Sequence, residues 1–202
     1  MNYRKIGLSL LFYAITGFGV ALTIKVLIGV SAYSALNVAV AEVLNYKVGI
    51  ITTVANLLFM FSCLFFDKNR RIIDYILMFL AIIMFGSVID FFLYGILSNI
   101  NFTNYTVRMI VFIIGNILGA FGVGRVMHYN TLKFPIEYLC ILLEEKFGFK
   151  FVFTRYTIET LCVIISLSLS YMYSLPIYVR EGTIISLLMF SYIVSWSKKI
   201  GE

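Results

Sequence analysis

The sequence predicts an all-α, polytopic membrane bundle: six transmembrane helices in an inverted 3+3 repeat, with one short re-entrant or interfacial helix per repeat. Three observations predict it. Hydrophobic residues make up 61% of the 202 and charged residues only 13%, against roughly 45–50% and 25% in soluble domains. Lysines and arginines gather in short clusters between apolar runs. The chain also superposes weakly on itself at a shift of roughly 103 positions, the self-similarity expected of transporter repeats. A water-soluble domain of this size could not hide so much apolar surface, so the excess must face lipid.

Spanning the bilayer takes roughly 17–25 mostly apolar residues. Six segments qualify, near 6–28, 48–66, 74–97, 107–127, 151–173 and 181–197. The first follows Arg4-Lys5 and reads as a retained span, because no small-residue cleavage site with a polar continuation follows it. The last is the shortest; Arg180-Glu181 and Lys198-Lys199 mark its two interfaces.

Two apolar stretches are too short to span: 30–45 and 131–147. Each reads as a helix, with Ser31 or Ser34 as N-cap of the first and Pro135 in the first turn of the second. Their N-termini, at Ser34, Pro135 and Glu137, carry partial positive charge. Dipping toward the midplane they would favour an anionic or carbonyl-bearing ligand.

Arg4, Lys5, Lys68, Arg70, Arg71, Arg125, Lys133, Lys146, Lys150, Lys198 and Lys199 fall on one side of a six-span topology; Lys47, Arg108 and Arg180 fall on the other. The positive-inside rule then puts both termini in the cytoplasm. The same distribution explains the net charge of +6 without a nucleic-acid partner, since no basic patch forms. Cys63, Cys140 and Cys162 lie in apolar surroundings without paired spacing and read as small buried hydrophobes.

The repeat superposes 17–60 on 120–163, within one transmembrane domain whose halves run over about 1–98 and 107–202. Gly17-Phe18-Gly19-Val20-Ala21 falls on Ala120-Phe121-Gly122-Val123-Gly124, and Leu36, Glu42, Lys47 and Leu58 fall on identical residues. Lys25 meets His128, Ser34 meets Glu137, and Asn56 meets Glu159. Three crossings per repeat is an odd number, so the second copy enters the membrane upside down. Gly115-x-x-x-Gly119, Ala120-x-x-x-Gly124 and Gly17-x-x-x-Ala21 give close-packing faces to the fourth and first spans.

Several strings carry a family resemblance. Gly17-x-Gly19-x-Ala21-Leu22, Gly29 and Leu36 resemble the first half of bacterial YczE/YitT-type integral membrane proteins, with Ala32-Tyr33 where that pattern has Pro-Trp. Pro135, Phe147-Gly148, Thr154-Arg155-Tyr156-Thr157-Ile158-Glu159 and Gly182-Thr183 resemble its second half. Ile136-Glu137 stand where the family has Arg-Asp, and its glycine-rich string before the third span is absent. The resemblance implies a topology and a bacterial inner-membrane address.

Polar groups inside spans are the functional candidates, because a charge at bilayer depth is costly. Arg155 and Glu159, four apart on one helical face, form an ion pair on a substrate or proton pathway. Asn56, the repeat partner of Glu159, lines the same path from the other half, and His128, the sole histidine, is a candidate proton-coupling group. Lys25 and Asp90 fall at similar depth and form a candidate outer gate pair. There is no metal-ligand cluster, nucleotide loop or nucleophile–base set, so no metal, cofactor or enzymatic activity is expected.

The function class that fits is a small secondary transporter or exporter of an unidentified small solute, with a homodimer compatible. The alternatives are a non-transporting assembly or regulatory factor and a substrate-binding subunit of an uptake complex. A cavity at the repeat interface reaching Glu159 and Asn56 would separate the first from the rest.

Overall fold

The computed structural model describes residues 3–68 and 70–200 and is helical throughout its regular structure. Among the described residues, eight α-helices follow one another: α1 Tyr3–Lys25, α2 Ala32–Leu44, α3 Val48–Phe66, α4 Ile72–Asp90, α5 Tyr105–Tyr129, α6 Pro135–Phe147, α7 Phe151–Met172 and α8 Glu181–Lys199. A π-helical turn, Phe91–Ile96, continues α4. Five of the long helices, α1, α3, α4 with its π-turn, α5 and α7, are long and apolar enough to cross a membrane.

The sixth expected span, α8, has the length but not the apolarity. Glu181, Lys198 and Lys199 stand at its ends, and hydroxyls line its inward face. Thr183, Ser186 and Ser197 are buried there, with Ser186 Oγ donating to Asn116 Oδ1 at 3.0 Å and Ser197 Oγ to the Phe121 carbonyl at 2.8 Å. Its outward face carries Ile184, Leu188, Tyr192 and Trp196, one apolar residue per turn and all exposed. Hydroxyls bonded inward and hydrocarbon outward suit a helix whose solvent is lipid.

Both short helices form where expected, and the repeat is visible in their ends. α2 and α6 have 13 residues each. They start at equivalent positions, as do α3 and α7. Leu27 and Asn130, equivalent residues that follow the ends of α1 and α5, both lie in the left-handed region (φ 53° and 47°). So do Asn45 and Gly148, the equivalent C-caps of α2 and α6. Asparagine and glycine adopt this conformation readily.

The halves meet across α1 and α5, the most extensive helix pair in the fold. The two run antiparallel. A Cβ on Gly19 would lie 2.5 Å from the Gly115 carbonyl oxygen, and one on the equivalent Gly122 would lie 2.7 Å from the Phe12 carbonyl oxygen. Phe12 and Gly115 are themselves equivalent, so contact i-to-j is matched by contact j-to-i, the signature of a two-fold relation. An inverted repeat requires that arrangement. Away from this axis each short helix crosses over: α2 packs on α7, and α6 on α3.

One pairing breaks the symmetry. α3 packs closely on α4, and a Cβ on Gly49 would lie 2.0 Å from the Gly86 carbonyl oxygen. Among the described residues α7 has no such packing on α8. A cleft of about 420 Å³ lies there instead, lined by Val152, Arg155 and Tyr156 of α7 and by Ser191, Val194 and Ser195 of α8.

Candidate functional site

A cavity of about 90 Å³ sits between the halves. Twelve of its lining residues form six repeat-equivalent pairs: Val20 with Val123, Ser31 with Phe134, Tyr33 with Ile136, Ser34 with Glu137, Thr52 with Arg155, and Asn56 with Glu159. A cavity lined by equivalent positions lies on the pseudo-dyad. Asn56 and Glu159 each fall eight residues into their helices, about 12 Å along the axis from opposite ends. The N-terminal turns of α2 and α6 both border the cavity, through Ala32, Tyr33 and Ser34 and through Ile136 and Glu137.

Sequence dictates how each polar group is held. Ser31 is the N-cap of α2: its Oγ accepts from the Ser34 backbone N–H at 3.3 Å and donates to Ser34 Oγ at 2.9 Å. Pro135 is buried in the first turn of α6, and its carbonyl accepts from the Cys63 thiol. Asn56 is buried, with Nδ2 donating to the Thr52 carbonyl at 2.9 Å.

Arg155 and Glu159 pair as expected, Nε to Oε1 at 2.9 Å. The guanidinium also donates from Nη1 to Glu137 Oε1 at 2.6 Å. The pair is thus a triad that ties α6 to α7, with all three side chains less than a fifth exposed. Glu137 was legible as a short-helix N-terminal residue, but its ion pair was not, since it depends on α6 folding back onto α7. Thr52 and Tyr33 were also missed. The repeat alignment pairs Thr52 with Arg155, and that was the available signal.

Three expected residues lie elsewhere. His128 is outside the central cavity: its Nδ1 is 2.9 Å from the Lys198 carbonyl oxygen, at the rim of a polar vestibule of about 700 Å³. Lys25 and Asp90 do not meet. Lys25 Nζ donates to the Ser98 carbonyl at 3.0 Å, whereas Asp90 Oδ1 accepts from the Gly49 backbone N–H at 2.7 Å, in the first turn of α3. Each charge finds a backbone partner nearer than the other, so no outer gate pair forms.

Glu137 lines the cavity, the cleft and the vestibule alike. Cys140, one turn along α6, has its thiol pushed up to about 12, by burial first and by the Glu137 carboxylate second. In the vestibule wall, Asp67 Oδ2 accepts from Tyr75 at 2.9 Å and Tyr138 at 2.7 Å. Burial and then that hydrogen bond hold the Tyr138 phenol above its ordinary range. All three cysteines are buried and free, and no group of three or more His, Cys, Asp or Glu could hold a metal among the described residues.

A polar, charged cavity thus lies between the two halves and shares Glu137 and Arg155 with the cleft beside it. No curated protein and no solved structure matches the chain. Residues 3–199 match the model of a family of unknown function, DUF6198, and the chain belongs to that family.

Proposed function

We propose that this protein is a small secondary transporter that moves a small solute across a bacterial inner membrane, with both termini cytoplasmic and with kinship to the YczE/YitT-type proteins. The observation that carries the reading is the dyad cavity together with its broken symmetry. α3 and α4 are shut at backbone contact, whereas their equivalents α7 and α8 stand apart over a cleft that shares Glu137 and Arg155 with the cavity. Exchanging the two packings between the halves would close the cleft and open the opposite end, with the cavity left in place. This is alternating access as inverted repeats perform it.

Labelling tests it. Asn56→Cys, in a chain with Cys63, Cys140 and Cys162 replaced, should react with a membrane-impermeant maleimide added from either side of sealed vesicles. Reaction from one side only would replace the transporter with a receptor or assembly factor. No reaction from either side would remove the solute path altogether.

A further inference from the structure

The charge on the cavity wall is unbalanced. Glu137, Arg155 and Glu159 are the charged residues lining it, two acids to one base. Arg155 spends Nη1 and Nε on one oxygen of each carboxylate. The other oxygen, Oε2 of Glu137 and of Glu159, has no protein partner among the described residues. The positive ends of the short helices do not redress this, because Ser31 caps α2 and Glu137 already occupies the first turn of α6. The sequence-based expectation of an anionic ligand therefore fails on charge: the wall carries one carboxylate more than it has cationic side chains.

A second, independent feature points to a ligand in the same place. The Tyr33 hydroxyl is buried without a hydrogen-bond partner; Asn37 lies near it but outside hydrogen-bond geometry. The same hydroxyl is close enough to Glu137 and Arg155 to feel both charges. A buried, unpaired hydroxyl beside an unbalanced carboxylate is costly unless something occupies the space.

We propose that the cavity binds one monovalent cation beside the Glu137–Arg155–Glu159 group, where a single positive charge balances the one formal negative charge in excess. A divalent ion would overshoot the single missing charge. The volume limits the ligand to an alkali-metal ion or a small ammonium, and the neutral acceptors opposite the triad are Thr52 and Asn56 on α3. Other titratable groups near the triad are Tyr13 on α1, Tyr33 on α2, Cys140 on α6 and Cys162 on α7. His128, Lys133 and Lys198 line the vestibule that Glu137 also lines.

The proposal deepens the transport reading, but binding is tested without a membrane. The full chain, purified in neutral detergent, is titrated with lithium, sodium, potassium or methylammonium chloride against N-methylglucamine chloride at equal chloride and ionic strength. At least one small cation should raise Tm by several degrees. Glu159→Gln should lose that shift, with Glu181→Gln as an exposed control. The wild-type contrast between small cations and N-methylglucamine stands if a variant fails to fold. No Tm difference between small cations and N-methylglucamine would overturn the proposal, as would a shift that survives unchanged in both Glu159→Gln and Glu137→Gln. Cation binding without flux in liposomes would remove the transport reading and leave this one. Flux of another solute with no cation effect would do the reverse.

Discussion

Thr16 Oγ1 lies 3.4 Å from the carbonyl oxygen of Gly119, a residue 103 positions away, so equivalent residues of the two halves touch each other on the axis that relates them. Nothing larger fits there. A Cβ on Gly19, one turn along, would sit 2.5 Å from the Gly115 carbonyl oxygen and 2.6 Å from the Gly119 nitrogen. Gly19→Val should therefore lower stability by about 1–3 kcal/mol, the usual range for overpacking. Gly7→Ala, where a Cβ meets nothing within 4 Å, should not lower the Tm in detergent.

Leu27 holds a left-handed backbone conformation (φ 53°) while its side chain is 59% exposed. The equivalent residue is Asn130, which suits that conformation. Leu27→Asn should raise stability by roughly 0.5–1 kcal/mol, since it relieves backbone strain and sacrifices little burial. An unchanged or lower Tm would mean that the Leu27 side chain contributes more than its exposure implies.

Arg155 joins two carboxylates, and its removal leaves both partly buried and unpaired. Arg155→Ala should cost about 3 kcal/mol. Glu137→Gln in the Arg155→Ala background should recover part of that loss, because it removes one of the stranded charges. Thermal melts of the two single variants and the double variant give the coupling energy; additive losses would show that the triad is not an electrostatic unit.

The Asp67–Tyr138 hydrogen bond ties the end of α3 to α6 at the Lys/Arg-rich end of the molecule. Tyr138→Phe should cost about 1.5–3 kcal/mol, as expected for a hydrogen bond to a charged acceptor. The Tyr138 phenol has a raised pKa in the fold. Its contribution is therefore complete below the unfolded value of about 10 and is lost as pH climbs from there toward the higher folded value. Melting curves between pH 7 and about 11 should fall less steeply for Tyr138→Phe than for the wild type.

Lys25 and Asp90 bond separate backbone groups. Lys25→Ala and Asp90→Asn should add to within about 0.5 kcal/mol when combined. A larger interaction energy in the double variant would restore the gate pair that the geometry denies.

Much of the fold was legible because lipid imposes one rule on the whole chain: a helix that spans must be apolar along its length. The spans at 48–66 and 107–127 were readable for that reason, and the lengths of the short helices follow from what was left over. Arg108 and Arg180 fall on the sparsely charged side. Both donate to the Leu27 carbonyl, so they cap the open end of α1. That use of charge depends on three chain segments meeting and leaves no local trace. The Arg155–Glu159 pair was readable because its partners share one helix. The third member, Glu137, and the failure of Lys25 to reach Asp90 both depended on tertiary placement, about which spacing along the chain says nothing. His128 fell at the rim for the same reason.

The crossed docking of the short helices has a consequence for synthesis. α2 belongs to the first half by sequence and touches α3 there, yet its most extensive packing is on α7, near the end of the chain. While the first half is being made, the polar turn at Ser31–Ser34 and the α2 face beside it have no permanent neighbour. The nascent chain must shelter them at the insertion machinery until α7 arrives. Biogenesis of this protein is therefore all-or-nothing, and a chain stopped after α4 should be degraded and not accumulate as a stable half.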